Sequence, residues 1–273
     1  MTLPAPSADR TCLVTGASSG IGAEIARELA RRGWGVTLVA RREDRLRTLA
    51  DELHAGHGVR AEVAPADLTD PGDRDTLPVR LDELGLELAV LVNNAGVGTF
   101  GPLQDADPER ECTVVRTNVE AVVDLCARLV PGMVERGAGA VLNVASTAAF
   151  QPLPGQATYA AAKAFVLSYS QAIRAELRST GVGVTALCPG PVETEFGQAG
   201  DANFELHEAP LPRFMWRPAE EVAKAGVAGV FKGQAVVIPG AGNKVSAVGG
   251  HLLPKRLLLP MLARQHPALR HQG

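Results

Sequence analysis

One pair of residue types in this 273-residue chain stands out for acid–base chemistry: Tyr159 is followed by Lys163, with three alanines between them. Residues four apart on a helix lie on one face, so the spacing predicts that the phenol and the ammonium are neighbours. A phenol with a pKa near ~10 exchanges protons poorly at neutral pH, and an adjacent cation lowers that pKa by favouring the phenolate. The pair is therefore a candidate general acid or base. The structural alternative is a tyrosine packed in a helix beside a lysine that reaches for solvent.

Two further polar residues fall where they could support such a pair. Ser146 closes the segment Asn143-Val-Ala-Ser146 at the end of a predicted strand. Asn118 is the one polar member of a row at helical spacing, formed by Val115, Asn118, Val122, Leu125 and Leu129. A buried carboxamide costs stability unless it is hydrogen-bonded, so Asn118 is predicted either to join a polar network or to be a satisfied core residue.

A glycine-rich turn follows the first predicted strand, in Gly16-Ala-Ser-Ser-Gly20-Ile-Gly22. Glycines here let the turn be tight, let the backbone approach a pyrophosphate and let the next helix pack closely on the strand. The helix N-terminus then faces the anion. A purely structural turn is the alternative, but the position between a strand and a helix at the start of an α/β alternation favours a dinucleotide site.

Side chains after the next strands indicate which dinucleotide. A free ribose 2′-hydroxyl is usually met by Asp or Glu about 20 residues after the glycines, whereas a 2′-phosphate is met by Arg. Arg41 and Arg42 stand at this place, so a 2′-phosphate is the better-matched ligand, unless the arginines belong to a solvated helix face. Asp67-Leu68 and Asn93-Asn94-Ala95-Gly96 end two further strands and are candidates for adenine and ribose contacts, or simple turn formers.

These residues need a scaffold, and the chain alternates short β-rich runs with longer helical patterns. We predict strands at residues 11–15, 35–40, 61–66, 89–93, 140–144, 182–188 and 235–238. We predict helices at residues 21–32, 43–53, 73–84, 108–136, 158–179 and 218–232. The expected fold class is α/β, a single doubly wound Rossmann domain over residues 1–273, with a mostly parallel seven-stranded sheet and helices on both faces. Residues 193–216 are expected to form a substrate-loop insertion and residues 243–273 a C-terminal extension.

The C-terminal extension is apolar with basic residues in between, from Leu252 to Arg264. Pro254 and Pro260 argue against one long helix there. The segment is able to cover the substrate mouth, to pack on a second subunit or to touch a membrane surface. We expect core or subunit packing ahead of membrane contact.

Composition excludes several classes of protein. The net charge of -3 and the pI near 6.1 give no long-range field that would gather nucleic acid or anionic lipid. No apolar run is long enough to span a membrane and the N-terminal residues lack a signal-peptide pattern, so we expect a cytoplasmic protein. Four cysteines share no metal-ligand spacing and lie in apolar stretches, which predicts buried thiols, no disulfide and no metal site: Cys12, Cys112, Cys126 and Cys188.

Six motifs follow one another along the chain: Thr15-Gly-x-x-x-Gly-Ile-Gly22, Asn93-Asn-Ala-Gly96, Asn118, Ser146, Tyr159-x-x-x-Lys163 and Pro189-Gly-Pro-Val192-x-Thr194. In order and approximate spacing they resemble the short-chain dehydrogenase/reductase superfamily, over about residues 10 to 195. The resemblance implies that Tyr159 exchanges a proton with the substrate oxygen and that Ser146 positions and polarises that oxygen. It also implies that Lys163 lowers the pKa of Tyr159 and holds the nicotinamide ribose, and that Asn118 holds a water linking Lys163 to solvent.

The same resemblance implies a set of cofactor-binding residues. They are Gly16, Ser18, Ser19, Gly20, Ile21, Gly22, Arg41, Arg42, Asp67, Leu68, Asn93, Ala95, Gly96, Tyr159, Lys163, Pro189, Gly190, Val192 and Thr194. The segment Val39-Ala-Arg-Arg42 is similar to that of NADP-preferring members, so NADP(H) is expected and NAD(H) is the less favoured cofactor. One departure is Ser19, which stands where many NADP-dependent relatives have a basic residue.

The segments Gln151-Pro-Leu-Pro154 and Lys163-Ala-Phe-Val166 resemble the branch that holds ketoacyl and hydroxysteroid reductases. This implies an oxidoreductase that transfers a hydride between nicotinamide and a carbonyl or secondary alcohol, acting on a hydrophobic ketone or 3-oxoacyl compound, as a homodimer or homotetramer. Apolar residues near the catalytic groups either contact such a substrate or pack the insertion onto the domain: Phe150, Leu153, Phe196, Phe204 and Phe214.

Two alternatives remain at this point. One is a non-catalytic NADPH-binding regulatory protein, although such a sensor has no need of a proton donor. The other is an enoyl reductase of the same fold, which would usually have a Tyr to Lys spacing longer than the four residues found here.

Overall fold

The structure, a computed structural model, describes residues 3–196 and 213–265. Its strands are β1 (Arg10–Thr15), β2 (Gly35–Ala40), β3 (Ala61–Pro65), β4 (Glu87–Asn93), β5 (Gly139–Val144), β6 (Val182–Leu187) and β7 (Val236–Val237). Its α-helices are α1 (Gly20–Arg31), α2 (Glu43–His57), α3 (Pro71–Glu83), α4 (Pro108–Val115), α5 (Ala121–Arg136), α6 (Ala157–Glu176), α7 (Ala219–Phe231), α8 (Ala241–Leu252) and α9 (Lys255–Gln265).

The strands form one sheet in the order β3-β2-β1-β4-β5-β6-β7, and every adjacent pair is parallel. Parallel neighbours need a long crossover between them, usually a helix, which is why strands and helices alternate along the sequence. All seven predicted strands are present, with their ends shifted by no more than one or two residues. The predicted doubly wound α/β fold is confirmed.

Helices cover both faces of the sheet. On β1, Cys12 and Val14 face one layer and Leu13 faces the other, and all three are fully buried. The first layer packs α1, α2 and α7 around Trp34, and the second packs α3, α5 and α6 around Met133. Burial on both sides explains why the strands are continuous apolar runs rather than alternating patterns.

The helix predicted over residues 108–136 is interrupted by one π-helical turn, Arg116–Glu120, between α4 and α5. A π turn holds an extra residue, so it rotates the helix before it relative to the helix after it. The predicted buried row is therefore wrong at its first member: Val115 is 45% exposed and Val114 is buried instead. From Asn118 onward the row is buried as predicted.

The C-terminal extension forms two helices. Pro254 lies between α8 and α9, whereas Pro260 lies inside α9. Across residues 3–196 and 213–265, none of the helices is long and apolar enough to cross a membrane. Most of the predicted substrate-loop insertion, residues 197–212, lies outside the described residues, and the predicted domain limits stay a prediction.

The four cysteines are all free thiols. Three of them are buried, as predicted: Cys12, Cys126 and Cys188. Cys112 is exposed, which contradicts the prediction, because α4 is a surface helix that buries only Val114.

Candidate active site

The carboxyl ends of the central strands open into one cleft of about 810 Å³. The cleft lies at the boundary between β1 and β4, because the chain adds β2 and β3 on one side of this boundary and β5 to β7 on the other. Ligands bind at this switch point in doubly wound sheets. Most residues predicted to serve the site line this cleft: Gly16, Ser18, Ser19, Gly20, Ile21, Arg41, Arg42, Asp67, Leu68, Ala95, Gly96, Ser146, Tyr159, Lys163, Pro189, Gly190, Val192 and Thr194. Three others stand behind the wall, namely Gly22, Asn93 and Asn118.

The glycine-rich turn forms one wall of the cleft. Gly16 has a φ of +65°, a left-handed conformation that side chains rarely adopt. At Gly22 a Cβ would lie 2.3 Å from the carbonyl oxygen of Gly16 and 2.4 Å from Nδ2 of Asn94. Gly22 therefore serves the close approach of α1 to the turn, and α1 begins in the cleft wall at Gly20.

Thr15 and Asn94 join the ends of β1 and β4. The buried hydroxyl of Thr15 accepts hydrogen bonds from the backbone N–H groups of Asn94 at 2.9 Å and Ala95 at 3.0 Å. In return, Nδ2 of Asn94 donates to the carbonyl oxygen of Thr15 at 2.9 Å. The sequence suggests no separate role for Thr15, and it suggests Asn94 only as a candidate adenine or ribose contact. The sequence feature that identifies both residues is their position: Thr15 ends β1 and Asn94 directly follows β4, and the ends of these neighbouring strands meet at the crevice.

Asn93 has a different environment from the one expected of a cofactor-binding side chain. It is 3% exposed, and its Nδ2 donates to Oδ1 of Asn143 at 2.9 Å within the sheet. Successive side chains on a strand point to opposite faces, so Asn93 and Asn94 diverge, and it is Asn94 that reaches the cleft. Asn143 continues the buried chain by donating to Oγ of Ser170 at 2.9 Å.

Arg42 lies against the glycine-rich turn. Its Nη2 donates to the hydroxyl of Ser18 at 3.0 Å and to the hydroxyl of Ser19 at 2.9 Å. The guanidinium of Arg42 therefore belongs to the cleft rather than to a purely solvated face of α2. Arg41 also lines the cleft but is 68% exposed, with Nη1 4.0 Å from Oδ2 of Asp67.

Glu195 bridges two of the arginines. Its carboxylate accepts hydrogen bonds from Nη1 of Arg45 at 2.8 Å and from Nη1 of Arg42 at 2.9 Å. These hydrogen bonds from Arg45 and Arg42 lower the pKa of the Glu195 carboxyl to about 2. The start of the residue 193–216 segment is thus tied by charge to the beginning of α2. Glu195 had no predicted role, because only the fold brings it to the arginines.

Tyr159 and Ser146 meet at the inner part of the cleft. Ser146 caps the short 3₁₀ turn Thr147–Phe150, with its Oγ accepting a hydrogen bond from the N–H of Ala148 at 3.1 Å. Burial raises the pKa of the Tyr159 phenol, and the hydrogen bond with Ser146 acts in the opposite direction. The predicted lowering of the Tyr159 pKa by Lys163 is therefore not found in the protein without its cofactor. The cost of placing a phenolate in this site exceeds the stabilisation that its neighbours provide.

Lys163 is 4% exposed, and its head group contacts the backbone at the end of β5. Its Nζ donates to the carbonyl oxygen of Val144 at 2.9 Å and lies 5.8 Å from the centre of the Tyr159 ring. Burial lowers the pKa of Lys163 to about 8. The predicted neighbours are thus brought together on α6, and the lysine exchanges its proton close to neutral pH.

Asn118 lies in the π turn and is fully buried. Its Oδ1 accepts a hydrogen bond from the N–H of Val97, and its Nδ2 donates to the carbonyl oxygen of Val97, both at 2.9 Å. The carboxamide thereby holds the loop after β4 against the helix. The water expected at Asn118 stays a prediction.

The outer part of the cleft is largely apolar. Phe196 packs on Tyr159 with ring centres 5.4 Å apart, and further lining comes from Phe100, Leu153, Met215 and Trp216. Of the apolar residues predicted here, Leu153 and Phe196 line the cleft, whereas Phe150 packs against the core cluster around Val166. Phe204 and the side chain of Phe214 lie outside the described residues.

The cleft fits a dinucleotide. A Cβ at Gly16 would lie 2.8 Å from Cα of Ala95, so the turn is shaped by glycine to leave its backbone bare at the N-terminus of α1. Two guanidinium groups stand at the end of β2, and a phenol, a hydroxyl and an ammonium stand at the opposite part of the same cleft. This donor set matches a pyrophosphate, an adenosine phosphate and a reacting oxygen along one crevice.

Known proteins share this architecture. A family model described as short chain dehydrogenase matches residues 10–203. Sulfoacetaldehyde reductase 2 of Chromohalobacter salexigens is 40% identical over 186 residues, which cover 67% of this chain and 73% of the relative. Very-long-chain 3-oxoacyl-CoA reductase of Anas platyrhynchos is 34% identical over 220 residues, which cover 78% of this chain and 69% of the relative.

A solved structure of a short-chain dehydrogenase from Sphingobium yanoikuyae in complex with NADPH has a TM-score of 0.78 to this chain. The two sequences are 34% identical, and the match covers 92% of this chain and 95% of the other. The family model, the sequence relatives and the fold agree. The chain belongs to the short-chain dehydrogenase family and is an NAD(P)-dependent oxidoreductase.

Proposed function

We propose that the protein interconverts a hydrophobic ketone or 3-oxoacyl compound and its secondary alcohol with NADP(H). The observation that carries this proposal is the set of polar side chains in the inner cleft, where Lys163 is buried and Tyr159 and Ser146 are half-buried. The phenol of Tyr159 is hydrogen-bonded to Ser146, and the ammonium of Lys163 lies 5.8 Å from the Tyr159 ring. A proton donor, a hydroxyl to orient the reacting oxygen and a buried cation together serve proton transfer to a carbonyl oxygen.

Each side chain has a distinct part in the proposed reaction. Tyr159 gives a proton to the substrate oxygen in reduction and takes it back in oxidation. The hydroxyl of Ser146 donates a hydrogen bond to the same oxygen and holds it within reach of the phenol. The nicotinamide cofactor, when bound, supplies or accepts the hydride at the substrate carbon.

Lys163 stabilises the phenolate that Tyr159 becomes when it gives up its proton. Because the pKa of Lys163 is about 8, its ammonium is present at neutral pH and is also able to pass a proton on. Asn118 is a positioning residue, since it holds the Val97 backbone and thereby the neighbouring Gly96. A Cβ at Gly96 would lie 3.3 Å from Nζ of Lys163, so this loop borders the lysine directly.

The choice of NADP(H) over NAD(H) rests on Arg42, with Arg41 as a second contributor. The hydrogen bonds of Arg42 to Ser18 and Ser19 support a position beside the adenosine ribose, where a 2′-phosphate accepts charge-assisted hydrogen bonds. No carboxylate occupies residues 40–42 at the end of β2 to meet a free 2′-hydroxyl. The Sphingobium yanoikuyae relative, described in complex with NADPH, supports the same choice.

The substrate class is inferred from the outer cleft. Phe100, Leu153 and Phe196 form an apolar wall beside Tyr159, which suits a substrate with an apolar body next to its carbonyl group. The relatives include a protein named for 3-oxoacyl-CoA reduction, which supports the 3-oxoacyl alternative.

The test is a panel of apolar ketones and 3-oxoacyl thioesters assayed with NADPH and with NADH by nicotinamide absorbance. Turnover with NADPH on at least one apolar carbonyl compound is expected. In the Tyr159→Phe variant kcat should fall by about 10²–10⁴, which is the contribution of a general acid, while NADPH binding persists.

Tyr169→Phe is the matched control, because Tyr169 is the other tyrosine of the chain and lies on the same helix, stacked on Phe165. It should leave kcat unchanged. Equal activity of Tyr159→Phe and the wild type would overturn the catalytic assignment. Binding of NADPH without turnover of any carbonyl compound would favour the regulatory alternative.

The oligomeric state and the cellular location stay predictions. Phe165 on α6 is 41% exposed, which supports packing of this helix on a partner subunit in the expected homodimer or homotetramer. The predicted cytoplasmic location has no structural observation of its own.

A further inference from the structure

Helix α8 presents its apolar residues on the side that faces away from the protein. One face packs inward through the buried residues Asn243 and Ala247. The opposite face carries Val245 at 73%, Val248 at 55% and Leu252 at 74% exposure. A surface helix normally places polar side chains on that outer face, so this pattern needs an explanation.

The apolar face continues into α9. Leu258 is buried and anchors α9 on the protein, while Leu257 is 65% and Met261 47% exposed. Leu253, between the two helices, is 47% exposed. We name this surface the C-terminal stripe, formed by Val245, Val248, Leu252, Leu253, Leu257 and Met261. The expected core packing of the extension is therefore limited to its inner residues.

The same part of the chain is strongly basic. Beyond Glu221 there are seven Lys and Arg residues and no Asp or Glu, although the whole chain has a net charge of -3. Four of these basic residues are exposed on α8 and α9: Lys244, Lys255, Arg256 and Arg264. The net charge of the chain thus conceals a local excess of positive charge around the C-terminal stripe.

The C-terminal stripe also borders the active-site cleft. Ser246 lines the cleft from the helix that carries Val245 and Val248. At Gly250 a Cβ would lie 2.2 Å from Oε1 of Gln151, another lining residue, so α8 is pressed against the cleft wall. The inner side of α8 serves the cleft and its outer side is the stripe.

We propose that the C-terminal stripe docks on the surface of a lipid bilayer that carries anionic headgroups. Exposed apolar side chains flanked by basic residues on short helices are the chemistry of an interfacial anchor: apolar groups enter the headgroup boundary, and lysine and arginine pair with phosphate. A second copy of the chain is the poorer partner. A two-fold contact brings the same patch of both copies together, which would set Lys255 and Arg256 near their own like charges.

The experiment is co-sedimentation of the purified full-length protein with vesicles of phosphatidylcholine alone and with vesicles that also contain phosphatidylglycerol. Binding to the anionic vesicles at low salt is expected, with weaker binding to neutral vesicles and loss of binding as salt is raised. The double variant Lys255→Gln, Arg256→Gln should bind the anionic vesicles about twenty-five-fold more weakly, at about fivefold for each charge removed. Arg80→Gln, Arg178→Gln is the charge-matched control and should bind like the wild type.

Val248→Asp tests the apolar contribution and should weaken binding by about tenfold or more. Its control is Val79→Asp on α3, because Val79 and Val248 are the same residue type on helices and are both 55% exposed. The readout is vesicle binding, so it does not depend on the proposed catalytic function.

Three results would overturn the proposal. One is an absence of wild-type binding to either vesicle at low salt. Another is equal binding by Val248→Asp and Val79→Asp. The third is a fall in oligomer size for Val248→Asp in analytical ultracentrifugation with vesicle binding unchanged, which would make the C-terminal stripe a subunit contact.

Discussion

Arg42→Gln is expected to weaken NADPH binding far more than NADH binding. In the structure Nη2 of Arg42 is held by the hydroxyls of Ser18 and Ser19 at 3.0 and 2.9 Å, beside the glycine-rich turn. Glutamine removes the positive charge and two of the three donor nitrogens but keeps a polar side chain. A ligand without a 2′-phosphate makes no use of the lost charge, so the change separates the two cofactors.

The size of the effect follows from two opposing contributions. Hydrogen bonds between a guanidinium and a phosphate contribute about 1.5–3 kcal/mol. The phosphate must compete with Glu195, which accepts a hydrogen bond from Arg42, but this pair is 43% and 44% exposed and such exposed pairs contribute at most about 1 kcal/mol. The net loss is therefore about 1–2 kcal/mol, a five- to thirtyfold rise in the Kd of NADPH.

The assay is a fluorescence titration of each reduced cofactor against wild type, Arg42→Gln and Arg47→Gln. Arg47 is the matched control, because it lies in the first turns of α2, which begins directly after Arg42, is 68% exposed and pairs with Glu43 away from the cleft. Glu195→Gln should move in the other direction and tighten NADPH binding by up to about fivefold. An unchanged ratio of the NADPH and NADH dissociation constants in Arg42→Gln would refute the 2′-phosphate assignment.

Three further predictions concern the stability of the fold, its dependence on pH and the reactivity of the cysteines. Gly22→Ala should destabilise the fold by about 1–3 kcal/mol, because the new methyl group would lie 2.3 Å from the Gly16 carbonyl oxygen. Gly56→Ala on α2 is the control, because a Cβ there has nothing within 4 Å, and it should stabilise the fold by about 0.5–1 kcal/mol. Urea unfolding measures both changes. Burial lowers the pKa of Lys163 to about 8 in the folded protein, from 10.5 in the unfolded chain. Below pH 8 the lysine is protonated in both states, and above pH 10.5 it is deprotonated in both. Between pH 8 and pH 10.5 only the unfolded chain keeps the proton. The unfolding free energy of the wild type relative to Lys163→Met should therefore rise by up to about 3 kcal/mol from pH 8 to 10.5, and a difference independent of pH would contradict this. Cys112 should be the one cysteine that a thiol reagent labels rapidly in the folded protein, because the other three are buried and burial raises their pKa values; rapid labelling of a second site, detected by mass spectrometry, would show that this reasoning fails.

The residues that line the cleft are in large part predictable from sequence motifs. Gly16, Ser146 and Tyr159 are far apart in the chain, and yet each was assigned to one crevice, because parallel strands present their carboxyl ends at the same edge of a sheet. Thr15 and Glu195 were missed for the opposite reason. Their roles come from contacts with Asn94 and Arg45, and no local pattern predicts those pairings.

Errors of register had a physical cause in each case. Val115 was expected in the core, but the π turn at Arg116–Glu120 inserts a residue and rotates α4 outward. Asn93 and Asn94 are adjacent in sequence, and only the strand twist and pairing decide which of them faces the cleft. A helical or strand period shows that a side has to be buried, but one extra residue in a turn changes which side it is.

Local properties of this protein follow from its sequence, whereas the burial of side chains and its effect on their pKa values follow from the tertiary structure. The sequence by itself determined the parallel α/β sheet, the glycine-rich turn and the pairing of Tyr159 with Lys163, because periodicity, backbone freedom and a four-residue helical spacing are local properties. Only the tertiary structure decided the proton affinities, since burial raises the pKa of Tyr159 and lowers that of Lys163 to about 8. It also decided that the apolar side chains of α8 and α9 remain exposed. Desolvation depends on every element packed around a group, and that environment exists only once distant segments have come together.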